Sequence, residues 1–155
     1  MALNFFSFLF SAALVSAGYL EYCDDFALVP STKSADTLFL MGQCLGVYGN
    51  TKQYQCSYLD LNQCYVLGAK DKKYHPQRLG NGMDADHVHS CRLTYKDDDH
   101  RRANRATGMD CSKPGDLGGT YTADFREIIG ADIGFLTCYN RSGFLCPENG
   151  QGAPY

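Results

Sequence analysis

The chain has 155 residues, a net charge of −3 at pH 7 and eight cysteines. That length accommodates one domain with its own hydrophobic core, and the slightly acidic charge argues against a nucleic-acid partner, which needs a basic surface. After the N-terminal segment, no apolar run approaches the roughly 20 residues that a membrane span requires. We therefore expect no nucleic-acid partner and no membrane association of the mature chain.

Residues 1–17 have the pattern of a removable signal peptide. They contain no charged side chain, carry apolar runs at residues 5–10 and 12–15, and end in the small-residue sequence Val15-Ser16-Ala17. We expect cleavage before Gly18 and a secreted, extracellular protein whose single domain covers residues 18–146.

Composition and short apolar stretches then predict an all-β fold. Eleven Tyr, nine Phe, 16 Gly and no Trp accompany apolar stretches at residues 37–41, 58–61 and 134–139, each bounded by turn-forming residues. Residues 66–89 and 96–105 are polar and predict exposed loops, and residues 147–155 predict a flexible C-terminal tail. No segment shows a sustained helical period.

Two aspartates occupy equivalent positions near the ends of predicted strands. Asp124 precedes a possible helical turn, where its carboxylate could accept a hydrogen bond from the backbone amide of Arg126 or Glu127. Asp60 could cap Asn62 in the same way. We therefore expect a structural rather than a catalytic role for both carboxylates.

The cysteine spacing indicates an internal repeat. Cys23 and Cys44 are separated by 20 residues, and Cys91 and Cys111 by 19. A duplicated unit should keep its internal bridge in both copies, so we expect the disulfides Cys23–Cys44 and Cys91–Cys111 in a secreted chain. No CxxC pair is present, and we expect neither a metal nor a cofactor. Repeat one would cover about residues 23–90 and repeat two about 91–138.

Several motifs of the two copies resemble one known family. They are Leu-Asp-Leu-Asn-Gln-Cys at residues 59–64, Cys-Arg-Leu-Thr at 91–94 and Ile-Ile-Gly-Ala-Asp-Ile-Gly-Phe-Leu at 128–136. Over residues 23–138 the chain is similar to the cyanovirin-N homology family, common among secreted fungal proteins. The resemblance implies two intertwined, pseudo-symmetric halves, each a three-stranded sheet plus a hairpin, and a monomeric lectin-like protein that binds mannose-type or other glycans without catalysis.

The resemblance also implies two sugar sites. The first would combine residues 45–50 with the start of the domain near Tyr22 and Asp24 and with residues 130–132. The second would combine residues 112–114 with residues 84–90 and the loop after Asn62. The side chains that we assign to sugar binding are Tyr48, Asn50, Asp132, Ser112, Lys113, Asp86 and His87.

The other four cysteines have two possible pairings. In the intertwined arrangement, Cys64–Cys138 would link the two halves and leave Cys56–Cys146 to hold the C-terminal segment. The local alternative pairs Cys56 with Cys64 and Cys138 with Cys146. The sequence leaves both pairings open.

Two other functions compete with glycan binding. A cysteine-rich fungal effector on a lectin-like scaffold could bind a host protein through residues 66–89 and 96–105. A small secreted ribonuclease could use the four histidines, His75, His87, His89 and His100, but no compact catalytic set stands out. Asn140, in Asn140-Arg141-Ser142, is the predicted acceptor for N-linked glycosylation.

Overall fold

The computed structural model describes residues 18–34, 37–68, 70–78, 90–95, 105–112, 119–139 and 141–147. The predicted signal peptide and the predicted tail after Pro147 lie outside these residues. Within them, β-strands dominate, as the composition predicted, and one short helix, α1 (Tyr19–Tyr22), precedes the first strand. The strands are β1 (Cys23–Pro30), β2 (Leu38–Tyr48), β3 (Thr51–Asp60), β4 (Tyr65–Gly68), β5 (Lys73–Pro76), β6 (Cys91–Tyr95), β7 (Ala106–Ser112), β8 (Thr120–Asp124), β9 (Ile129–Asp132), β10 (Phe135–Cys138), β11 (Arg141–Ser142) and β12 (Phe144–Leu145).

The strands form three sheets. One has the order β1-β2-β3-β12, a second the order β4-β5-β8-β7-β6, and a third the order β11-β10-β9. Neighbouring strands in the described chain pair antiparallel, except that β5 and β8 run parallel. Because antiparallel neighbours need only short turns, most of these strands are joined directly to the next one along the chain.

A short hairpin lies where the sequence predicted only an exposed loop. Strands β4 and β5 pair over four residues each, so the loop prediction for residues 66–89 is wrong at its start. Tyr65 and Tyr74 are buried, whereas their neighbours Lys73 and His75 face solvent. Strand β5 has a single buried residue between two exposed polar ones, and four residues are too few for the alternation to identify a strand. Residues 79–89 of the segment lie outside the described residues.

Two 3₁₀ turns, Leu61–Gln63 and Phe125–Glu127, follow β3 and β8. Asp60 Oδ1 accepts a hydrogen bond from the Asn62 amide at 2.9 Å, and Asp124 Oδ1 accepts one from the Arg126 amide at 2.9 Å. The predicted capping role of both aspartates is therefore confirmed. Each cap turns the chain out of its sheet and into the next pair of strands.

The main hydrophobic core draws side chains from all three sheets, and a smaller second cluster forms around Phe39 and Tyr58. Tyr19 is fully buried, and its hydroxyl donates a hydrogen bond to the carbonyl oxygen of Ala106 at 2.9 Å. Tyr65 likewise donates to the carbonyl oxygen of Asp124 at 2.9 Å. The largest fully buried side chains of this core are Tyr19, Tyr65, Phe125, Leu38, Leu40, Leu61, Met109, Ile129 and Leu136.

The β9–β10 and β4–β5 hairpins each contact a strand that is distant in sequence. The β9–β10 hairpin lies on β3, where the Leu136 amide donates to Ser57 Oγ at 3.0 Å. The β4–β5 hairpin instead joins β8, and the Thr122 amide donates to the Lys72 carbonyl at 3.2 Å. The first and second halves of the chain therefore share one core.

Four disulfides join these elements. Cys23–Cys44 and Cys91–Cys111 connect directly paired residues of β1–β2 and β6–β7, with Cα atoms 4.0 and 3.9 Å apart. The remaining cysteines form Cys64–Cys138 and Cys56–Cys146, with Cα–Cα distances of 5.9 and 5.3 Å, rather than the local alternative. Four bridges in a domain of this size fit the oxidising conditions of the extracellular space. None of the helices in the described part of the chain has the length and apolar character to cross a membrane.

Candidate functional site

A cleft of about 420 Å³ opens where three remote parts of the chain meet. One wall comes from the end of α1, a second from the end of the β2–β3 hairpin, and a third from the turn between β9 and β10. The lining residues are Tyr22, Leu45, Val47, Lys52, Ala131, Asp132, Ile133 and Gly134. Its volume lies within the range of small-molecule binding sites.

The register of β1 and β2 leaves part of β2 open at the β2–β3 side of this cleft. Strand β1 begins at Cys23, which pairs with Cys44, whereas β2 continues to residue 48. Beyond Cys44, β2 is paired only with β3 in the described structure. The β2 backbone at residues 45–48 is therefore an open strand edge beside the cleft.

The β9–β10 turn forms the opposite side. Asp132 pairs with Phe135, which leaves Ile133 and Gly134 as a two-residue turn with φ values of 47° and 83°. Positive φ at both positions is the pattern of a type I′ turn. Gln55 Nε2 donates to the Gly134 carbonyl at 3.0 Å and holds the turn against the β2–β3 hairpin. The turn thereby presents Asp132 and Ile133 to the cleft.

The cleft combines exposed apolar surface with one charged group of each sign. Tyr22, Val47 and Ile133 are 49%, 53% and 63% exposed, respectively. The side chains of Lys52 and Asp132 make no ion pair or hydrogen bond within the described residues, although both line the cleft. An ammonium group only donates hydrogen bonds and a carboxylate only accepts them, so the cleft offers a ligand one donor and one acceptor.

The structure brings together some of the residues expected for the first site. Asp132 lines the cleft, as do Tyr22 and parts of residues 45–50. Asn50 lies exposed in the two-residue turn between β2 and β3 and is not among the lining residues. Tyr48 is the last residue of β2.

Three lining residues, Lys52, Ile133 and Gly134, were not predicted from the sequence. Lys52 pairs directly with Val47 across the hairpin, so both side chains lie on the same face of β2–β3. The turn-forming dipeptide Gly49-Asn50, which follows the apolar end of β2, could have located that hairpin and hence Lys52. Ile133 had no comparable signal, because a β-branched residue is unexpected in a type I′ turn.

The expected second site is only partly described. Ser112 borders a separate, smaller cleft of about 200 Å³, and Arg92 and Asp110 at the same place have their charged groups 3.8 Å apart. Lys113, Asp86 and His87 lie outside the described residues, as does Asn140. The structure therefore places Ser112 and Asp132 in two different clefts.

Among the histidines, His75 is described. Its Nε2 lies 2.7 Å from Asp71 Oδ2, and both side chains are about half exposed. Desolvation raises the pKa of Asp71, but hydrogen bonds from His75 and from the Lys73 amide outweigh it. The pKa of Asp71 therefore lies below its ordinary value. Within the described ranges, no group of three or more His, Cys, Asp or Glu residues is arranged to hold a metal ion.

Comparisons with protein-family models, with curated proteins and with solved structures find no match for this chain.

Proposed function

We propose that the protein is a secreted, non-catalytic carbohydrate-binding protein whose binding site is the cleft between α1, the β2–β3 hairpin and the β9–β10 turn. The observation that carries this proposal is the convergence at one cleft of the three segments that the resemblance associates with a sugar site. These segments are the start of the domain, the end of β2 and the turn that begins at Asp132.

The chemistry of the cleft suits a sugar. Sugars present hydroxyl groups around a ring and apolar C–H patches on its faces. The half-exposed ring of Tyr22 can pack on such a patch, while Asp132 and Lys52 can accept and donate hydrogen bonds at the hydroxyls. No acid–base pair or metal is needed for this role.

The proposal includes a duplicated fold of the cyanovirin-N homology type. The order of three strands, a capped 3₁₀ turn and two further strands occurs in residues 23–76 and again in residues 91–138. In both copies a disulfide joins the first two strands, and an aspartate caps the turn. The packing of each hairpin against the other copy supports the intertwined arrangement.

The compartment follows from the same proposal. The signal-like residues 1–17 and four disulfides support secretion, and the residues that open the domain pack inside it. Tyr19, the second residue after the expected cleavage position, is fully buried. We propose that the mature protein acts as an extracellular monomer.

A glycan array followed by titration calorimetry on the oxidised protein that begins at Gly18 would test this function. We expect saturable binding of at least one glycan class. Tyr22→Ala and Asp132→Ala should each weaken binding by about 1–3 kcal/mol, because a contact of the bound ligand is lost. Tyr95→Ala is the matched control, since Tyr95 is 52% exposed on β6 and does not line the cleft.

Other outcomes would contradict the proposal. Absence of any glycan signal with a correctly folded protein would favour the alternative, an effector that binds a host protein. Equal losses in Tyr22→Ala and Tyr95→Ala would place sugar binding away from this cleft.

A further inference from the structure

We infer that the cleft selects sugars that carry an acetamido group, such as N-acetylhexosamines, and that Ile133 is a determinant of this selectivity. The inference rests on the proposed function and names the ligand class of the same cleft. It follows from the aliphatic lining of the cleft, from the two charged side chains Lys52 and Asp132 and from the backbone conformation of Ile133.

Three of the eight residues that line the cleft are aliphatic residues with branched side chains. Leu45, Val47 and Ile133 all line it, in addition to the ring of Tyr22. A hexose carries hydroxyls around its whole edge, and pressing them against aliphatic side chains would remove their water without replacing its hydrogen bonds. The methyl group of an acetamido substituent is apolar and would gain from the same contact.

The two charged groups match the polar atoms of an acetamido substituent. Its N–H group can donate to the Asp132 carboxylate, and its carbonyl oxygen can accept from the Lys52 ammonium group. Both side chains line the cleft and neither is engaged by the described residues. One acetamido group therefore carries the donor, the acceptor and the methyl group that correspond to Asp132, Lys52 and the aliphatic residues of the cleft.

Ile133 adopts a conformation that its side chain disfavours. Its φ of 47° lies in the left-handed region, where a β-branched residue is an outlier and where Asn, Asp or Gly is usual at this turn position. The side chain is 63% exposed, so burial within the protein does not offset the backbone strain. Backbone strain of this kind is often found at binding sites. We infer that Ile133 is kept at this position because its side chain contacts an apolar group of the ligand.

Titration calorimetry with two matched trisaccharides tests the selectivity. Triacetylchitotriose and cellotriose share the same β1–4 glucose backbone, and only the first carries acetamido groups. We expect triacetylchitotriose to bind at least about tenfold more tightly, because only an acetamido group can pair both charged side chains and also bury a methyl group on the aliphatic wall. A fully deacetylated chitotriose should lose this advantage.

Substitution at Ile133 separates ligand contact from folding. Ile133→Asn should raise the thermal midpoint by a few degrees, since Asn tolerates the left-handed conformation. The same variant should weaken triacetylchitotriose binding by about three- to tenfold while changing cellotriose binding little. Leu145→Asn, which alters a 56% exposed apolar residue on β12, is the matched control and should leave both affinities unchanged.

The possible results distinguish this inference from the proposed function. Equal affinity for both trisaccharides, tighter binding of an oligomannose, or unchanged selectivity in Ile133→Asn would overturn the inference while leaving a carbohydrate-binding protein. Absence of binding to the trisaccharides and to oligomannose alike would overturn both.

Discussion

At the scale of single residues, Asp60 shows how one partly buried carboxylate can hold a turn and still lower stability at neutral pH. Its oxygens accept hydrogen bonds from the Asn62 amide at 2.9 Å and from Gln63 Nε2 at 3.0 Å. Burial nevertheless outweighs these bonds and raises the pKa of Asp60 above its ordinary value of 3.8. The folded state therefore takes up a proton more readily than the unfolded chain does.

The contribution of Asp60 to stability decreases as the pH rises. The contribution of Asp60 to the free energy of unfolding is fully present below pH 3.8 and is lost as the pH rises through the raised folded-state pKa. Replacement of the carboxylate by an uncharged acceptor should remove this loss and keep the cap.

We therefore predict opposite effects for two substitutions at Asp60. Asp60→Asn should unfold at neutral pH with a free energy equal to or above that of the parent, because its amide oxygen still accepts from Asn62. Asp60→Ala should lose about 1 kcal/mol, since the cap is removed. Urea unfolding at acidic and neutral pH would measure the free energy of unfolding of both variants. A large loss of stability in Asp60→Asn at neutral pH would show that the charge itself is required.

At the scale of elements, two hairpin turns close the strands that surround the cleft, and they tolerate change differently. Gly49 opens the β2–β3 turn with a φ of 60°, and a Cβ atom there would meet no heavy atom within 4 Å. Gly134 closes the β9–β10 turn with a φ of 83°, and a Cβ atom there would lie 2.7 Å from Gln55 Nε2 and 3.0 Å from Gly46 Cα. Only the second turn is packed against another element.

We predict that Gly134→Ala costs more stability than Gly49→Ala. The Gly49 variant should lose about 1–2 kcal/mol through backbone strain alone. The Gly134 variant should lose more, because the added methyl group also displaces the turn from the β2–β3 hairpin, and its glycan affinity should fall as well. Chemical denaturation and calorimetry would measure both variants. Equal losses in the free energy of unfolding would indicate that the β9–β10 turn does not pack against the β2–β3 hairpin.

At the scale of the whole molecule, the two long-range disulfides act on different parts of the fold. Cys64–Cys138 spans 74 residues and connects the turn after β3 with the end of β10, and both of its cysteines are fully buried. Cys56–Cys146 spans 90 residues and holds the two-residue strand β12 on β3. By chain entropy alone the two bridges should stabilise the fold about equally.

We predict that the two disulfides contribute unequally to the stability of the fold. Removing either pair of cysteines should cost about 2–5 kcal/mol. The double substitution Cys64→Ala with Cys138→Ala should cost more, because it also leaves a cavity where two buried sulfur atoms packed. Thermal unfolding of both double variants would test this, and the order is wrong if the Cys56 and Cys146 variant is the less stable one.

Local sequence was sufficient for those features that depend on neighbouring residues. Tyr- and Phe-rich stretches between turn residues predicted a β fold, and the caps at Asp60 and Asp124 followed from their position before a turn. The spacing of cysteines pointed to Cys23–Cys44 and Cys91–Cys111, the bridges between adjacent strands. In each case the interacting groups are close in the chain or repeat within it, so little long-range information is needed.

Long-range packing was needed for the remaining features. Strand β5 is too short and too polar to be recognised from the sequence, and it forms because β4 pairs with it over four residues and β8 pairs with it at Lys73. Lys52 belongs to the cleft through its register with Val47, and Ile133 through the docking of its turn against Gln55. The composition of the cleft, and with it the ligand class that we infer, arises from three segments whose contact depends on the shared core of both halves.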